Sequence, residues 1–376
     1  MRIFIVRRGD TLYSIARMFG VSVDAIKAAN ELNSPDRLSV GQALVIPGRD
    51  APSREIEVNG YAYPGISSAV LSDALKYLTF ISPFSWQVDA AGGITPIADE
   101  RIISAAYAQG AAPLLTVTNT GTSGGFESNT AHAVLTDGAA QDTFMQNMLS
   151  ALRQRGYRGV NLNFEYVYPF DRDSFNAFLE RLSQELHSRG LYLVSTVAPK
   201  VSDDRQGILS SAQDYAAHGT FCDRVVIMTC EWGYTLSPPQ AVSPVNRMRE
   251  VLDYAVTKIP PGKILIGVSN YGYNWRLPHR QGQAAQTILN AAAQNLAPAS
   301  LSGVKYDTKA QAPYFRYTDP SGVQHEVWYE DARSVKAKLK LVSEYELAGI
   351  SLMTVNYPDR AGFEVLQSVY TVEKIV

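Results

Sequence analysis

The sequence predicts an α/β protein: a (β/α)8 TIM barrel with a small α+β insertion before strand 8, preceded by a small β-α-α-β module. Three observations support this fold class. Eight apolar, β-prone runs alternate with helical stretches from residue 55 onward. These runs are continuously apolar, as expected for parallel strands that are buried on both faces. The chain of 376 residues is also long enough for one large barrel plus a small module.

The N-terminal module is predicted to span residues 1–48. Asp10 or Thr11 is placed to cap its first helix. The segment 49–54 is polar and rich in turn-forming residues, which indicates a linker. The predicted elements of the module are a short strand (IFIV), a helix over 11–19, a second helix over 23–30 and a closing strand (QALVIP).

The barrel is predicted to span 55–376. An insertion at about 295–330 contains a hairpin signal around Asp-Pro-Ser-Gly, and we expect it to form one wall of a cleft. The predicted barrel strands are EIEVNGYAY (55–63), YLTFISPFSW (77–86), PLLTVTN (113–119), GVNLNF (159–164), YLVSTV (192–197), RVVIMT (224–229), KILIGVSN (263–270) and GISLMTV (349–355).

Composition excludes several functional classes. A formal net charge of −2 gives no footprint for nucleic acid, and no apolar run is long enough to span a membrane. The first residues lack the apolar core and cleavage site of a Sec signal, so we expect synthesis in the cytoplasm. Two cysteines make no disulfide framework, and the five histidines show no metal-binding spacing. We therefore expect no metal, no cofactor and a monomeric chain.

The stretch GVNLNFEY at 159–166 contains the candidate catalytic residues. Glu165 lies at the C-terminal end of the fourth predicted strand, where barrel enzymes keep their active sites. An apolar surrounding would raise the pKa of this carboxyl group towards neutral and suit it to act as a general acid. Asn163, two residues earlier on the strand, points to the same face. The alternative is a structural glutamate paired with Arg158 or Arg172.

Residues 2–47 closely resemble a lysin motif (LysM). The matching features are Gly-Asp-Thr-Leu, Ile-Ala, Phe-Gly-Val and Gly-Gln-x-Leu-x-Ile-Pro. Such modules bind peptidoglycan, chitin and other glycans that contain N-acetylglucosamine, so the resemblance implies a polymer of this kind as the partner. A purely structural role for the matching residues stays open, and Leu12 is expected in the core. The resemblance implies a groove between two loops, lined by Gly9, Asp10, Thr11 and Leu12 and by residues from Asn30 to Pro35.

Residues 55–376 resemble glycoside hydrolase family 18. GVNLNFE stands at the acidic fourth-strand motif of that family, IMTCEWGY at the sixth strand, YGYNW after the seventh and GISLMT at the eighth. The resemblance implies a mechanism in which the 2-acetamido group of the substrate is the nucleophile. Glu165 would then be the proton donor, and Asn163 would orient the acetamido group.

A lysin motif directly before such a barrel, without an export signal, resembles the spore cortex-fragment-lytic N-acetylglucosaminidases of endospore-forming bacteria. This resemblance implies cleavage of spore cortex peptidoglycan. It also implies synthesis in the mother cell and deposition in the spore coat or cortex.

The chain departs from the family pattern at several positions. The four acidic positions of the fourth strand are here Arg158, Asn161, Asn163 and Glu165. Asn163 can accept a hydrogen bond from an acetamido N–H but cannot supply a charge-assisted one. Losing one such electrostatic partner costs on the order of 10²–10³ in rate, which predicts a slowed enzyme. A lectin-like protein on an inactive barrel, binding peptidoglycan or chitin, is the alternative.

Other substrate-binding candidates follow from the same resemblance. Cys230 stands where the family has a tyrosine, and Met353 stands where it has a tryptophan. Glu231 and Tyr273 are candidates for positioning the substrate, and Asn161 is a further polar candidate. Packing in the core or in loops is the alternative for each aromatic residue. The candidate sugar-stacking aromatics are Phe84, Trp86, Trp232 and Trp275.

Overall fold

The structure is a computed structural model that describes residues 1–34, 37–48, 52, 54–203 and 207–376. The predicted linker 49–54 lies largely outside the described residues, as does Pro35. Within the described part of the chain, no helix is long and apolar enough to cross a membrane.

The N-terminal module has the predicted β-α-α-β order, and its two strands pair antiparallel. Thr11 caps the first helix: its hydroxyl accepts from the Ser14 backbone N–H at 3.0 Å, and the Ser14 hydroxyl accepts from the Thr11 N–H at 3.0 Å. Leu12 and Ile15 are buried in the small core of the module. The elements are β1 (Arg2–Ile5), α1 (Leu12–Phe19), α2 (Val23–Asn30) and β2 (Ala43–Ile46).

The first part of the barrel alternates strands with helices, as predicted. Helix α6 is capped at its N-terminus by Asp137 and ends at Arg155; the next residue, Gly156, has a φ of 76°, a left-handed conformation that glycine adopts at low cost. The elements are β3 (Arg54–Ala62), α3 (Ser68–Leu75), β4 (Phe80–Pro83), β5 (Trp86–Val88), β6 (Ile94–Thr95), α4 (Glu100–Ala108), β7 (Ala112–Thr118), α5 (Ser128–Thr136), α6 (Gly138–Arg155), β8 (Gly159–Asn163), α7 (Arg172–His187), β9 (Tyr192–Val197), α8 (Tyr215–Phe221), β10 (Arg224–Ile227), α9 (Val245–Ala255) and β11 (Ile264–Ser269).

The remaining elements form the insertion and close the barrel. They are β12 (Tyr271–Leu277), β13 (Gln286–Leu289), α10 (Asn290–Leu296), β14 (Lys305–Asp307), β15 (Ala312–Thr318), β16 (Gln324–Trp328), α11 (Ala332–Glu344), β17 (Gly349–Met353), α12 (Arg360–Val369) and β18 (Tyr370–Val372).

The barrel is closed by eight parallel strands. Strands β3, β4, β7, β8, β9, β10, β11 and β17 pair in that order, and β17 pairs with β3. Each lies within or close to one of the eight apolar runs, so the predicted (β/α)8 fold is confirmed. The C-terminal ends of these parallel strands meet at one rim, which brings Glu165, Glu231 and Met353 to the same end of the barrel.

The insertion is an antiparallel five-stranded sheet with one helix. The sheet begins at Tyr271, earlier in the chain than the predicted start at 295. The reason is that β12, which contains the YGYNW stretch, pairs with the distant β16 and so belongs to the inserted sheet. The predicted hairpin is present: the Asp319 carboxylate accepts from the backbone N–H groups of Ser321 and Val323, both at 2.9 Å.

The module is docked on the insertion and the barrel. The side chain of Asn295 accepts from the Asn33 N–H at 2.8 Å and donates to the Glu31 carbonyl at 2.9 Å. The Val304 N–H donates to the Val40 carbonyl at 2.8 Å. Helix α2 also packs against α12, and β2 packs against α11. These contacts hold the second loop of the module against the rest of the protein.

Candidate active site

A buried network of neutral polar groups fills the barrel beneath the catalytic strand. The Tyr61 hydroxyl lies 2.5 Å from the Thr196 hydroxyl and accepts from the Asn161 amide at 3.0 Å. Asn161 also donates to Ser82 at 3.2 Å and accepts from Thr196 at 2.9 Å. Burial raises the pKa of Tyr61 to about 12, and the nearby Glu165 carboxylate adds to this. Asn161 is fully buried and its amide is satisfied within this network.

Glu165 lies just beyond the end of β8 and is half-buried. Burial raises the pKa of its carboxyl group to about 7, while a hydrogen bond from Asn163 opposes the increase. Arg172 instead bonds to Asp214 at 2.9 Å, and Arg158 is exposed at the opposite end of the strand. The alternative of an ion-paired structural glutamate therefore has no support in this geometry. A carboxyl group with a pKa near 7 can both give and take a proton at neutral pH.

Asn163 is 1% exposed and points into the barrel beside Glu165. Its amide donates to the Glu165 carboxyl group, and its Oδ1 atom has no hydrogen-bond partner among the described residues. A buried acceptor without a partner is costly, by roughly 1–3 kcal/mol, unless a ligand satisfies it. The oxygen is thus placed to accept from a donor that arrives with the substrate.

Glu231 lies at the rim after β10, on the side of the inserted sheet. Its φ of 62° is in the left-handed region that non-glycine residues seldom adopt. Its carboxylate accepts from the hydroxyls of Tyr271 and Tyr273, the second at 3.1 Å. The residue as a whole is exposed, but desolvation of its carboxylate raises the pKa of Glu231 above its usual range, and the two hydroxyls oppose the increase. The strained backbone and the two tyrosines fix this carboxylate in the wall of the cleft.

Two of the four predicted stacking aromatics are core residues in this structure. Trp275 is 1% exposed and donates from Nε1 to the Ser237 carbonyl at 2.7 Å. Trp86 is 5% exposed and donates to the Asp99 carboxylate at 2.5 Å. The packing alternative fits both, because their faces are covered and their indole N–H groups are satisfied. Neither Trp86 nor Trp275 therefore presents a ring face on which a sugar could stack.

The other two aromatics remain accessible in part. Phe84 is half-buried and packs edge-on against Tyr61 and Tyr63, with ring centroids 5.8 and 5.6 Å apart. This places Phe84 at the mouth, above the polar network. Trp232 is half-buried next to Glu231, and the Arg247 guanidinium lies 5.6 Å from the centroid of its ring.

Cys230 and Met353 also lie at the rim. Cys230 is 9% exposed, and burial raises the pKa of its thiol to about 12, which makes it an unreactive neutral group. Met353 is half-buried at the end of β17.

The predicted glycan-binding residues of the module fall into two groups. Gly9 is exposed with a φ of 90°, and the Asp10 carboxylate accepts from the Arg7 N–H at 2.7 Å in the same loop. Leu12 and Asn30 are buried, and the Asn30 amide bonds to the backbone of β2 and α2. The first loop of the predicted groove, with Gly9 and Thr11, is exposed, and so is Asn33 in the second loop.

The sequence did not single out Tyr61 or Asn119, which both contribute to the site. The signal was present for Tyr61, because a polar side chain near the C-terminal end of a buried parallel strand points towards the active site. Asn119 follows β7 directly and bonds to the backbone of Glu165 at 2.9 and 3.0 Å. Within the described part of the chain, no group of three or more His, Cys, Asp or Glu side chains could hold a metal ion.

The closed barrel with an acidic residue at the end of its fourth strand is shared with a known family. Residues 118–357 match the glycosyl hydrolases family 18, and residues 4–47 match the LysM domain. The chain belongs to glycosyl hydrolase family 18 and carries a LysM domain at its N-terminal side.

Particular relatives extend this likeness over the whole chain. It is 35% identical to the cortical fragment-lytic enzyme of Bacillus subtilis, covering 93% of this chain and 94% of the relative. The crystal structure of the Bacillus megaterium spore cortex-lytic enzyme SleL superposes with a TM-score of 0.93 at 30% identity, over 100% of this chain and 99% of that one. The Bacillus cereus spore cortex-lytic enzyme SleL gives a TM-score of 0.83 at 35% identity, over 99% and 87%.

Proposed function

We propose that the protein is a glycoside hydrolase that cleaves next to N-acetylglucosamine in peptidoglycan, with spore cortex fragments as its substrate. The observation that carries the proposal is the pair at the end of β8. Glu165 has a carboxyl pKa of about 7, and the buried Asn163 beside it offers an oxygen that has no hydrogen-bond partner among the described residues. The likeness to cortical fragment-lytic enzymes over nearly the full chain supports the choice of substrate.

The chemistry proceeds with the acetamido group of the substrate as nucleophile. Its carbonyl oxygen attacks the anomeric carbon, while Glu165 gives its proton to the leaving oxygen and the glycosidic bond breaks. The product of this step is a cyclic oxazolinium-type ion. Water then attacks the anomeric carbon and passes a proton to the Glu165 carboxylate, which restores the acid and retains the anomeric configuration.

Asn163 orients the acetamido group in this scheme. Its Oδ1 atom accepts from the acetamido N–H, which turns the carbonyl oxygen towards the anomeric carbon, and its amide holds Glu165. An asparagine that donates to one carboxyl oxygen and accepts from the substrate makes the same bonds as a protonated aspartate. It carries no charge to stabilise the cation, so the expected activity is reduced rather than absent.

Exposed rings at the mouth suit a sugar polymer. Tyr63, Tyr166 and Phe170 are 45%, 42% and 74% exposed, and each follows the C-terminal end of a barrel strand. Flat aromatic faces with polar edges match the faces of pyranose rings. The exposed first loop of the LysM domain adds a second contact to the same polymer, which raises the local concentration of substrate.

Mass spectrometry of products tests the proposal. The protein is incubated with spore cortex fragments and with chitin oligomers, beside Glu165→Gln. We expect the parent to release sugar products slowly and Glu165→Gln to release none while still binding the glycan. Full activity in Glu165→Gln would remove Glu165 from the role of acid. Sedimentation with peptidoglycan and no product from the parent would favour the lectin-like alternative.

A further inference from the structure

We propose that Asn119 is a positioning residue for Glu165, because its side-chain amide holds both backbone groups of the acid. The proposal rests on the function assigned to Glu165 above. Asn119 is fully buried and follows the last residue of β7.

The Asn119 side chain extends the hydrogen-bonded pairing of β7 with β8 beyond the last backbone pair, and we call these two hydrogen bonds to Glu165 the extra rung of the sheet. The last backbone pairing between β7 and β8 joins Thr118 to Asn163. One step further, the side chain of Asn119 takes over: its Oδ1 accepts from the Glu165 N–H at 3.0 Å and its Nδ2 donates to the Glu165 carbonyl at 2.9 Å. An amide has a donor and an acceptor in one plane, as a peptide group has, so it can replace a backbone partner.

This rung is needed because the chain turns sharply after Glu165. Tyr166 has a φ of 55°, a left-handed conformation that costs roughly 1–3 kcal/mol for a residue with a Cβ and persists only where the surroundings hold it. Without a partner for its N–H and carbonyl, the backbone of Glu165 would relax towards an extended conformation. The carboxyl group would then swing away from Asn163.

The same amide ties Glu165 to the loop after β7. Its Nδ2 also donates to the Glu127 carbonyl at 3.1 Å, and the Glu127 N–H donates to the Asn119 carbonyl at 2.8 Å. A bridge between Thr120 and Phe126 closes the loop between them. Asn119 thus fixes the acid to a second, independently closed segment. Aspartate has the same shape but no donor when ionised, and alanine removes all three side-chain hydrogen bonds.

The test uses Asn119→Ala and Asn119→Asp, with Asn129→Ala as the matched control. Asn129 is an exposed asparagine near the same rim, whose Oδ1 accepts from the Tyr168 hydroxyl at 2.9 Å. We expect both Asn119 variants to lose on the order of 10²-fold in kcat with KM unchanged, since a small misplacement of a catalytic group costs about that much. Asn129→Ala should match the parent.

A structural role alone would not move the titration of Glu165. In Asn119→Ala the released carboxyl group gains solvent and its pKa falls, so the basic limb of the kcat/KM profile should move to lower pH. The same titration is read without turnover by 13C NMR of labelled glutamate carboxyl groups, with Glu165→Gln assigning the signal.

The outcomes separate this proposal from the proposed function. If the parent is active, two results would overturn the positioning role alone. The Asn119 variants could keep the kcat of the parent, or they could lose activity while the pKa of Glu165 stays unchanged in Asn119→Ala. A parent without activity overturns the proposed function, and the NMR titration still decides the role of Asn119: a lowered pKa supports it and an unchanged pKa overturns it. Should Asn119→Ala not fold, the kcat-against-KM split of Asn119→Asp decides.

Discussion

Removing the charge of Glu165 should stabilise the protein at neutral and alkaline pH. The pKa of this carboxyl group rises from the ordinary value of 4.5 to about 7 on folding, because burial disfavours the charged form. The folded protein therefore binds more protons than the unfolded chain between these two values. The stability contribution is fully present below pH 4.5 and is lost as the pH rises through about 7.

The size of the effect follows from this pKa difference of about 2.5. At roughly 1.4 kcal/mol for each pKa unit, ionisation of Glu165 costs the parent about 3 kcal/mol of folding free energy above pH 8. Glu165→Gln keeps the size and polarity of the side chain but never ionises. Its free energy of unfolding relative to the parent should therefore rise by about 3 kcal/mol between pH 4 and pH 8.

Urea unfolding of both proteins at several pH values measures this difference. Glu180→Gln is the control, because Glu180 is an exposed glutamate on α7, remote from the active site. The control reports what a glutamate-to-glutamine change does to stability at an exposed position of the same protein. If Glu165→Gln behaved like the control, the carboxyl group would not be desolvated and the assignment of a neutral-pH acid would lose its physical basis.

Three other predictions concern the site, the insertion and the module. Asn163→Asp should raise kcat by at least about tenfold. It should also move the basic limb of the pH–rate profile to higher pH, because the like charge raises the pKa of Glu165. Initial rates on N-acetylglucosamine oligomers at several pH values test both effects. Trp275→Ala should cost about 3–5 kcal/mol in urea unfolding as a core truncation, whereas Phe84→Ala should mainly raise KM. Gly41→Ala should release the module from the insertion, because an added Cβ would lie 2.0 Å from the Val304 carbonyl oxygen. Faster limited proteolysis near residue 50 would show this release, and an unchanged cleavage pattern would contradict the docking.

The barrel could be predicted because its strands are apolar along their whole length, a pattern that local sequence carries. The place of Glu165 could be predicted for a similar reason, since the end of a barrel strand is a position along the chain. That Phe84 stays partly accessible while Trp275 is buried could not be predicted. Both are aromatic and both lie near strand ends, but pairing with β16 buries Trp275 in the inserted sheet.

Long-range partners were also beyond the sequence pattern. Asn119 and Glu165 are 46 residues apart, and nothing near either residue indicates that a side-chain amide replaces a strand between them. The left-handed conformations of Tyr166 and Glu231 have no glycine or asparagine signal, because the tertiary contacts around them impose the turn. Active-site residues break the local rules in this way more often than core residues do.

Docking fixes the distance between the LysM domain and the barrel, which a flexible linker alone would leave variable. A module on a flexible linker samples many separations from its enzyme, and the gain in local concentration depends on linker length. Here Asn295 and Val304 fasten the second loop, so the exposed loop at Gly9 keeps one distance and one direction to the cleft. We expect a glycan strand that contacts both the Gly9 loop and the cleft to meet the barrel in a single register, so that the spacing between the two contacts would select which bond along the polymer is cut.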